Sequence, residues 1–260
     1  MPRGKVWLVG AGPGDPELLT VKAERLLRGA DVIAYDELVT REILALAPKD
    51  AERIAVGRRA GGCRHHEARI HPLVVVRALE GREVVRLKGG DPLIFGRGGE
   101  EADELAAANV PFEIVPGVTA ALAAAATANI PLTHREVASS VTFATAHASS
   151  EDTGEDLAAR IPKHGTVVLY MGLGRVEETL SALVRAGRSP STPAAVVSRA
   201  GLPGSRTVKG TLANLASLVA LARLEAPAVI LVGPVVASAV ASPRQSSAFA
   251  AIEPAPRRSR

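Results

Sequence analysis

Two loops in this chain have the composition of a binding site rather than of a plain connection. After the apolar run Val84–Leu87 come Lys88, Gly89, Gly90, Asp91, Pro92, Ile94, Gly96, Arg97, Gly98 and Gly99, before a helical pattern from about Glu100 to Asn109. Glycine admits positive φ and lets backbone approach a ligand with no Cβ between them. At the C-terminal end of a strand in an α/β sheet, such a loop is where small molecules bind. Nearer the start, Gly10-Ala11-Gly12-Pro13-Gly14-Asp15-Pro16 follows the apolar run Lys5–Val9. Cations gather around these loops. Residues 53–97 hold ten Arg and Lys against four acids, and Arg58, Arg59, Arg64, Lys88 and Arg97, joined by Arg135, form a candidate anion-binding wall. Any one of them reads most simply as a solvated surface group. Their concentration is what argues for a polyanionic small molecule.

Metal chemistry is not expected. Cys63, His65, His66 and His71 cluster in sequence but share no zinc-finger or i, i+4 spacing. The lone cysteine rules out an intramolecular disulfide and fits a reducing, cytoplasmic setting.

The net charge of +4 and pI of about 9.6 invite a nucleic-acid reading. It weakens on inspection, because Arg244, Arg257, Arg258 and Arg260 in residues 241–260 face only Glu253 and leave the body near neutral. Neither a nucleic-acid partner nor a membrane is expected. The run Val6–Val9 is too short for a signal-peptide core, and the apolar stretch Ala226–Val240 is broken by Pro227, Gly233 and Pro234.

The elements that must position these loops follow from periodicity and caps. Hydrophobic residues make up 47% and aromatics 3%, so the core is close-packed Ala, Val and Leu, as in layered α/β folds. A strand over Lys5–Val9 leads to a helix over about Glu17–Leu27, with Asp15 as N-cap, Pro16 in the first helical position and Gly29 at its end. Strands follow at Asp31–Tyr35 and Arg53–Val56, with a helix over Arg41–Ala47 between them. The first turn mimics a dinucleotide fingerprint, with Asp36 as its acid. The third small residue of that fingerprint falls on Asp15, and a carboxylate there would face a pyrophosphate, so that reading is rejected. After a strand at Pro111–Val115, Pro116-Gly117-Val118-Thr119 turns into the nearly all-alanine helix Ala120–Ala128.

The second half reads as strands at Ser140–Thr145, Thr166–Met171, Ala194–Ser198, Thr207–Lys209 and Ala228–Val232, with helices at Arg175–Gly187 and Leu212–Leu221. Strands following one another without a helix predict a mixed sheet. The expected architecture is two α/β domains, 1–115 with a mostly parallel sheet and 116–240 with a mixed sheet, with the active site in the cleft between them. The tail 241–260 is expected to be disordered.

Taken together, Val9 to Asp15, Arg86 to Glu101, Pro116 to Ala120, Pro131-Leu132-Thr133-His134-Arg135 and Tyr170-Met171-Gly172 resemble the tetrapyrrole methylases, in order, over about residues 5–240. The first loop is shared across that superfamily; the middle stretch with Pro131–Arg135 points to its uroporphyrinogen-III C-methylating branch. The resemblance implies S-adenosylmethionine bound in the cleft, S-adenosylhomocysteine as product, a homodimer, and conversion of uroporphyrinogen III to precorrin-2 by methylation at C2 and C7. Carried over residue by residue, it implies cofactor contacts at Pro13, Gly89, Gly90, Asp91, Ile94, Thr119, Ala120, Met171, Ala200 and Ala228. It further implies Asp36 as proton acceptor and a proton donor at position 58. There the family lysine is replaced by Arg58, a guanidinium too basic to give up a proton but well shaped for a propionate. Arg59, Lys88, Arg97 and Arg135 are the expected substrate contacts. A later precorrin methyltransferase and a non-catalytic cofactor or tetrapyrrole binder remain as alternatives.

Overall fold

A computed structural model describes residues 4–56, 70–146 and 154–239, the side chains of 154–156 excepted. The first half alternates strands and helices: β1 (Val6–Gly10), α1 (Val21–Arg28), β2 (Val32–Tyr35), α2 (Arg41–Leu44), β3 (Glu52–Ala55), α3 (Pro72–Leu79), β4 (Val84–Lys88), α4 (Gly98–Ala107) and β5 (Phe112–Val115). The five strands form one sheet in the order β3-β2-β4-β1-β5, every pair parallel. Parallel strands need helical crossovers on the faces, so both faces are buried and the strands read as unbroken Val, Ile and Leu runs. On one face Leu8, Val84 and Ile54 pack with α3 and α4; on the other Val9, Ile33 and Leu87 pack with α1 and α2.

The second half continues with α5 (Ala120–Ala128), β6 (Val141–Thr145), α6 (Gly154–Arg160), β7 (Thr166–Tyr170), α7 (Val176–Arg185), β8 (Pro193–Ser198), β9 (Arg206–Thr211), α8 (Leu215–Ala222) and β10 (Ala228–Val232). Its sheet runs β6-β7-β10-β8-β9 and is mixed: β6 and β7 are parallel, and the remaining pairs antiparallel. Ala121, Ala124 and Ala128 seat α5 on this sheet against Val168, Ala195, Val197 and Leu231. Alanine on that face lets helix and sheet approach closely.

Two expectations about elements change. Asp15 caps only a 3-10 turn, Pro16–Leu18, accepting from the Glu17 amide at 2.9 Å. Leu19 and Thr20 are extended, and α1 starts at Val21, where the Thr20 hydroxyl accepts from Ala23 N at 3.1 Å as a second start signal. The strands at 141–145 and 166–170 are also not joined directly, since α6 lies between them and they are parallel. Among the described side chains of that helix only Leu157 is buried, too short a pattern for periodicity to register. The mixed character predicted for this sheet comes from β8, β9 and β10 instead. The expected disordered tail lies outside the described residues.

The loop before β7 is held by an unusual staple. Arg188, just beyond α7, is buried and donates to the carbonyls of Pro162, His164 and Gly165 at 2.6–3.3 Å. Burial pushes its guanidinium below the usual arginine range. Arg188→Met strips three carbonyls of their donor at about 1 kcal/mol each. The melting temperature is expected to fall by roughly 6–12 °C for a chain of this size. Calorimetry showing a change below about 2 °C would remove the staple from the account.

Candidate functional site

Strand order brings three loops side by side. Because β1 lies between β4 and β5, the segments after all three emerge at the same C-terminal edge of the first sheet. The first two pair through backbone: Gly90 N donates to Gly12 O at 2.8 Å, Gly12 N to Gly90 O at 3.1 Å and Ala11 N to Lys88 O at 2.7 Å. The third presses onto both. A Cβ on Gly117 would stand 2.3 Å from Gly90 O and 2.8 Å from the Gly10 Cα, and one on Gly10 would stand 2.5 Å from Gly117 N. Glycine is required at 10 and 117 by backbone meeting backbone. Asp91 clamps the junction, accepting from Gly117 N at 3.0 Å on one oxygen and from Leu93 N at 2.8 Å on the other.

The second sheet supplies the facing side. The Thr119 hydroxyl and the Tyr170 hydroxyl are 2.7 Å apart, and Ala121 N also donates to Tyr170 at 3.2 Å. Burial pushes the Tyr170 phenol up, so it keeps its proton at neutral pH. Phe95, from the loop after β4, leans on Tyr170 with ring centroids 4.9 Å apart. Met171 follows at the end of β7 with φ of 55° and is 47% exposed. The pairing of Val229 with Tyr170 puts Ala228 at the same level across β10. Ile94, Ala120 and Ala200 pack on one cluster, and a Cβ on Gly201 would stand 2.9 Å from the Pro13 ring. Gly89 meets Leu38 across the loop after β2. The structure therefore gathers Pro13, Gly89, Gly90, Asp91, Ile94, Thr119, Ala120 and Ala200 around one junction, with Met171 next to Tyr170, whereas the Ala228 side chain packs on the other face of the second sheet.

Asp36 stands immediately after β2, beside β4. Its Oδ1 lies 2.7 Å from Arg86 Nη2, and its side chain is 25% exposed. Arg86 also donates through Nε and Nη2 to Glu101 Oε1 at 3.1 and 2.8 Å. Lys88 Nζ reaches the same oxygen at 2.8 Å, whereas Glu101 Oε2 is buried and accepts nothing among the described residues. Arg86, Lys88 and Glu101 are only 5%, 3% and 7% exposed. Burial, aided by neighbouring Arg86, pushes the Lys88 ammonium below the usual lysine range.

This corrects one expectation. Lys88 is no part of an exposed anion-binding wall: its ammonium points inside, because β4 is central in a sheet covered on both faces. Arg97 and Arg135 are exposed; Arg97 has φ of 58° and pairs with Glu100 at 3.3 Å. Arg58, Arg59 and Arg64, with Cys63, His65 and His66, lie outside the described residues. His71 caps α3 through Nδ1 at 3.3 Å from Leu73 N, and no metal-binding cluster occurs among the described residues. Sequence reasoning missed Arg86, Glu101, Phe95 and the Tyr170 hydroxyl. A signal existed for the first two: cations at 86 and 88 share one side of an apolar strand, and a buried cation calls for a buried acid.

Residues 5–216 match the family model described as Tetrapyrrole (Corrin/Porphyrin) Methylases. A Methanosarcina barkeri protein named S-adenosyl-L-methionine-dependent uroporphyrinogen III methyltransferase is 48% identical over 235 residues, 90% of this chain and 92% of that one. A siroheme synthase of Acinetobacter baylyi is 47% identical over 90% of this chain, which spans only 51% of that longer protein. The crystal structure of uroporphyrin-III C-methyl transferase from Thermus thermophilus complexed with S-adenyl homocysteine superposes with a TM-score of 0.75. It is 43% identical and covers 90% of this chain and 100% of its own. With its two α/β sheets meeting at a glycine junction and its match over most of its length, the chain belongs to the tetrapyrrole methylase family.

Proposed function

We propose that this chain is an S-adenosylmethionine-dependent C-methyltransferase converting uroporphyrinogen III to precorrin-2 by methylation at C2 and C7, for siroheme or cobalamin synthesis. The observation that carries the reading is the meeting of Gly89–Asp91, Thr119–Ala120 and Met171 at one junction with Asp36 close by, in a chain whose nearly full-length relatives bear that name.

The residues present fit the cofactor. A Cβ on Gly90, at φ of 70°, would stand 3.9 Å from Ala120 N and from Thr119 Cα, so glycine there keeps open a cradle between loop and helix start. Ala120 and Ala200 add little bulk, and half-exposed Met171 with Phe95 offers an apolar rim to a purine. Bound there, S-adenosylmethionine supplies a methyl group on a sulfonium, which needs in-line positioning more than an activated side-chain nucleophile. The chain's own task is proton handling. Each transferred methyl arrives as a cation equivalent, so the product must lose one proton, and Asp36 is the carboxylate placed to accept it. Arg58, Arg59, Arg97 and Arg135 are assigned to the substrate's carboxylates, Arg58 as a propionate clamp rather than a proton donor.

The domain division 1–115 and 116–240 follows the two sheets in this reading, and a cytoplasmic homodimer is part of it. Exposed Leu38, Leu93 and Leu122 supply apolar surface for association. Light scattering checks the dimer against the 26.9 kDa of one chain.

The deciding assay mixes the protein with S-adenosylmethionine and enzymatically made uroporphyrinogen III without oxygen and follows mass. Two successive methyl additions are expected. Product from precorrin-2 but none from uroporphyrinogen III would move the chain to a later step; none from either would leave a binding protein.

A further inference from the structure

We propose that Arg86, Glu101 and Lys88 act as positioning residues, forming a buried, charge-balanced cluster that holds the Asp36 carboxylate in place and governs when it is ionised. This rests on the assignment of Asp36 as proton acceptor.

Four charged groups meet here, two cationic and two anionic, and three are almost completely buried. Buried ion clusters are poor stabilisers, since desolvation offsets most of their attraction. One oxygen of Glu101 takes all three cationic contacts while the other has no partner among the described residues, a further cost that packing alone does not explain. The arrangement is asymmetric in a useful way. Arg86 Nη2 donates to Glu101 and forms an ion pair with Asp36 at 2.7 Å, and only the Asp36 end faces outward. The cluster is neutral when all four groups are ionised. A proton arriving on Asp36 leaves one uncompensated positive charge in the cluster. Burial has already weakened the hold of Lys88 on its own proton, opposed chiefly by Glu101 and less by Asp36.

Around Asp36 the described charged groups are Arg86 and Lys88 from β4, Glu101 from α4 and adjacent Glu37. The neighbouring β3 ends at Ala55 and brings Arg53, whose guanidinium donates to the Leu44 carbonyl. Arg58 and Arg59, beyond β3, stay constant in every comparison below.

The sign of each substitution is fixed by charge. Glu101→Gln leaves excess positive charge, so the acid limb of the turnover–pH profile moves to lower pH. Lys88→Met moves it to higher pH. Each shift is expected on the order of one pH unit, the effect of an uncompensated charge a few ångström away. The double variant returns the limb to its original position. Arg86→Met lowers kcat on the order of 100-fold with KM little changed, and Arg86→Lys recovers part of the loss. Stability changes with an unmoved limb would make the cluster structural only and overturn the proposal.

Should a single-charge variant fail to fold, Asp36→Asn, at the partly exposed end, gives the reciprocal readout. Removing its charge shifts the Lys88 titration, followed by 15N resonance, to lower pH. No shift would overturn the coupling. Carboxyl 13C titration of Asp36 in the Glu101 and Lys88 variants needs no turnover, so failure of the cluster is distinguishable from failure of the methyltransferase assignment.

Discussion

Asparagine in place of Asp36 lowers turnover by about 100- to 10,000-fold, the usual worth of a positioned proton-transfer group. Affinity for S-adenosylhomocysteine stays within about two-fold. The two effects separate because Asp36 sits after β2 and contacts Arg86, while the junction proposed for the cofactor is built by the segments after β1, β4 and β5 with Thr119 and Tyr170. Asparagine keeps the shape and one acceptor oxygen toward Arg86 but cannot take up a proton. Calorimetric titration with S-adenosylhomocysteine and single-turnover methylation measure the two quantities on one preparation. Turnover within ten-fold of the parent protein would remove Asp36 as proton acceptor. A parallel loss of cofactor affinity would instead place it in the cofactor site.

A single methyl group at position 117 has the opposite signature. Gly117→Ala is expected to cost about 3 kcal/mol of stability, the upper end for overpacking, and to weaken S-adenosylhomocysteine binding by more than ~30-fold. The reason is geometric. The added Cβ would stand 2.3 Å from Gly90 O and 2.8 Å from Gly10 backbone, where no flexible side chain can move aside. Relief requires the loops after β1 and β4 to part, and these are the loops that frame the cradle. Gly99→Ala is the control. Nothing lies within 4 Å of its Cβ and it sits in the first turn of α4, so the change is expected to stabilise by roughly 0.5–1 kcal/mol and leave binding alone. Comparable destabilisation in both variants would mean that crowding at the junction does not set the effect.

Much of this site could be read before any fold was known, because its signals are local. Gly89 and Gly90 after an apolar run, Pro116-Gly117 before an alanine helix, and Asp36 at a strand end are features of consecutive residues, and strands and caps arise from the same short range. Where two local signals compete, sequence reasoning chose wrongly. Asp15 and Thr20 are both good N-caps, and only the packing of Ala23 and Leu27 into the core decides that α1 begins at the second. The helix α6 escaped notice because Leu157 is the one buried residue among its described side chains.

The residues alone determined the alternation of strand and helix in the first half, the glycine-rich character of the loops and the family they resemble. These depend on backbone freedom and hydrophobic period along the chain. Tertiary structure alone decided which loops are neighbours. The order β3-β2-β4-β1-β5 seats β1 between strands that follow it by more than seventy residues, and no propensity of Val6–Gly10 encodes that choice. The same order turned Lys88 from a surface cation into an interior one and set it, with Arg86 and Glu101, beneath Asp36. A charge's role depends on what lies across the sheet from it, and that is settled only when the sheet closes.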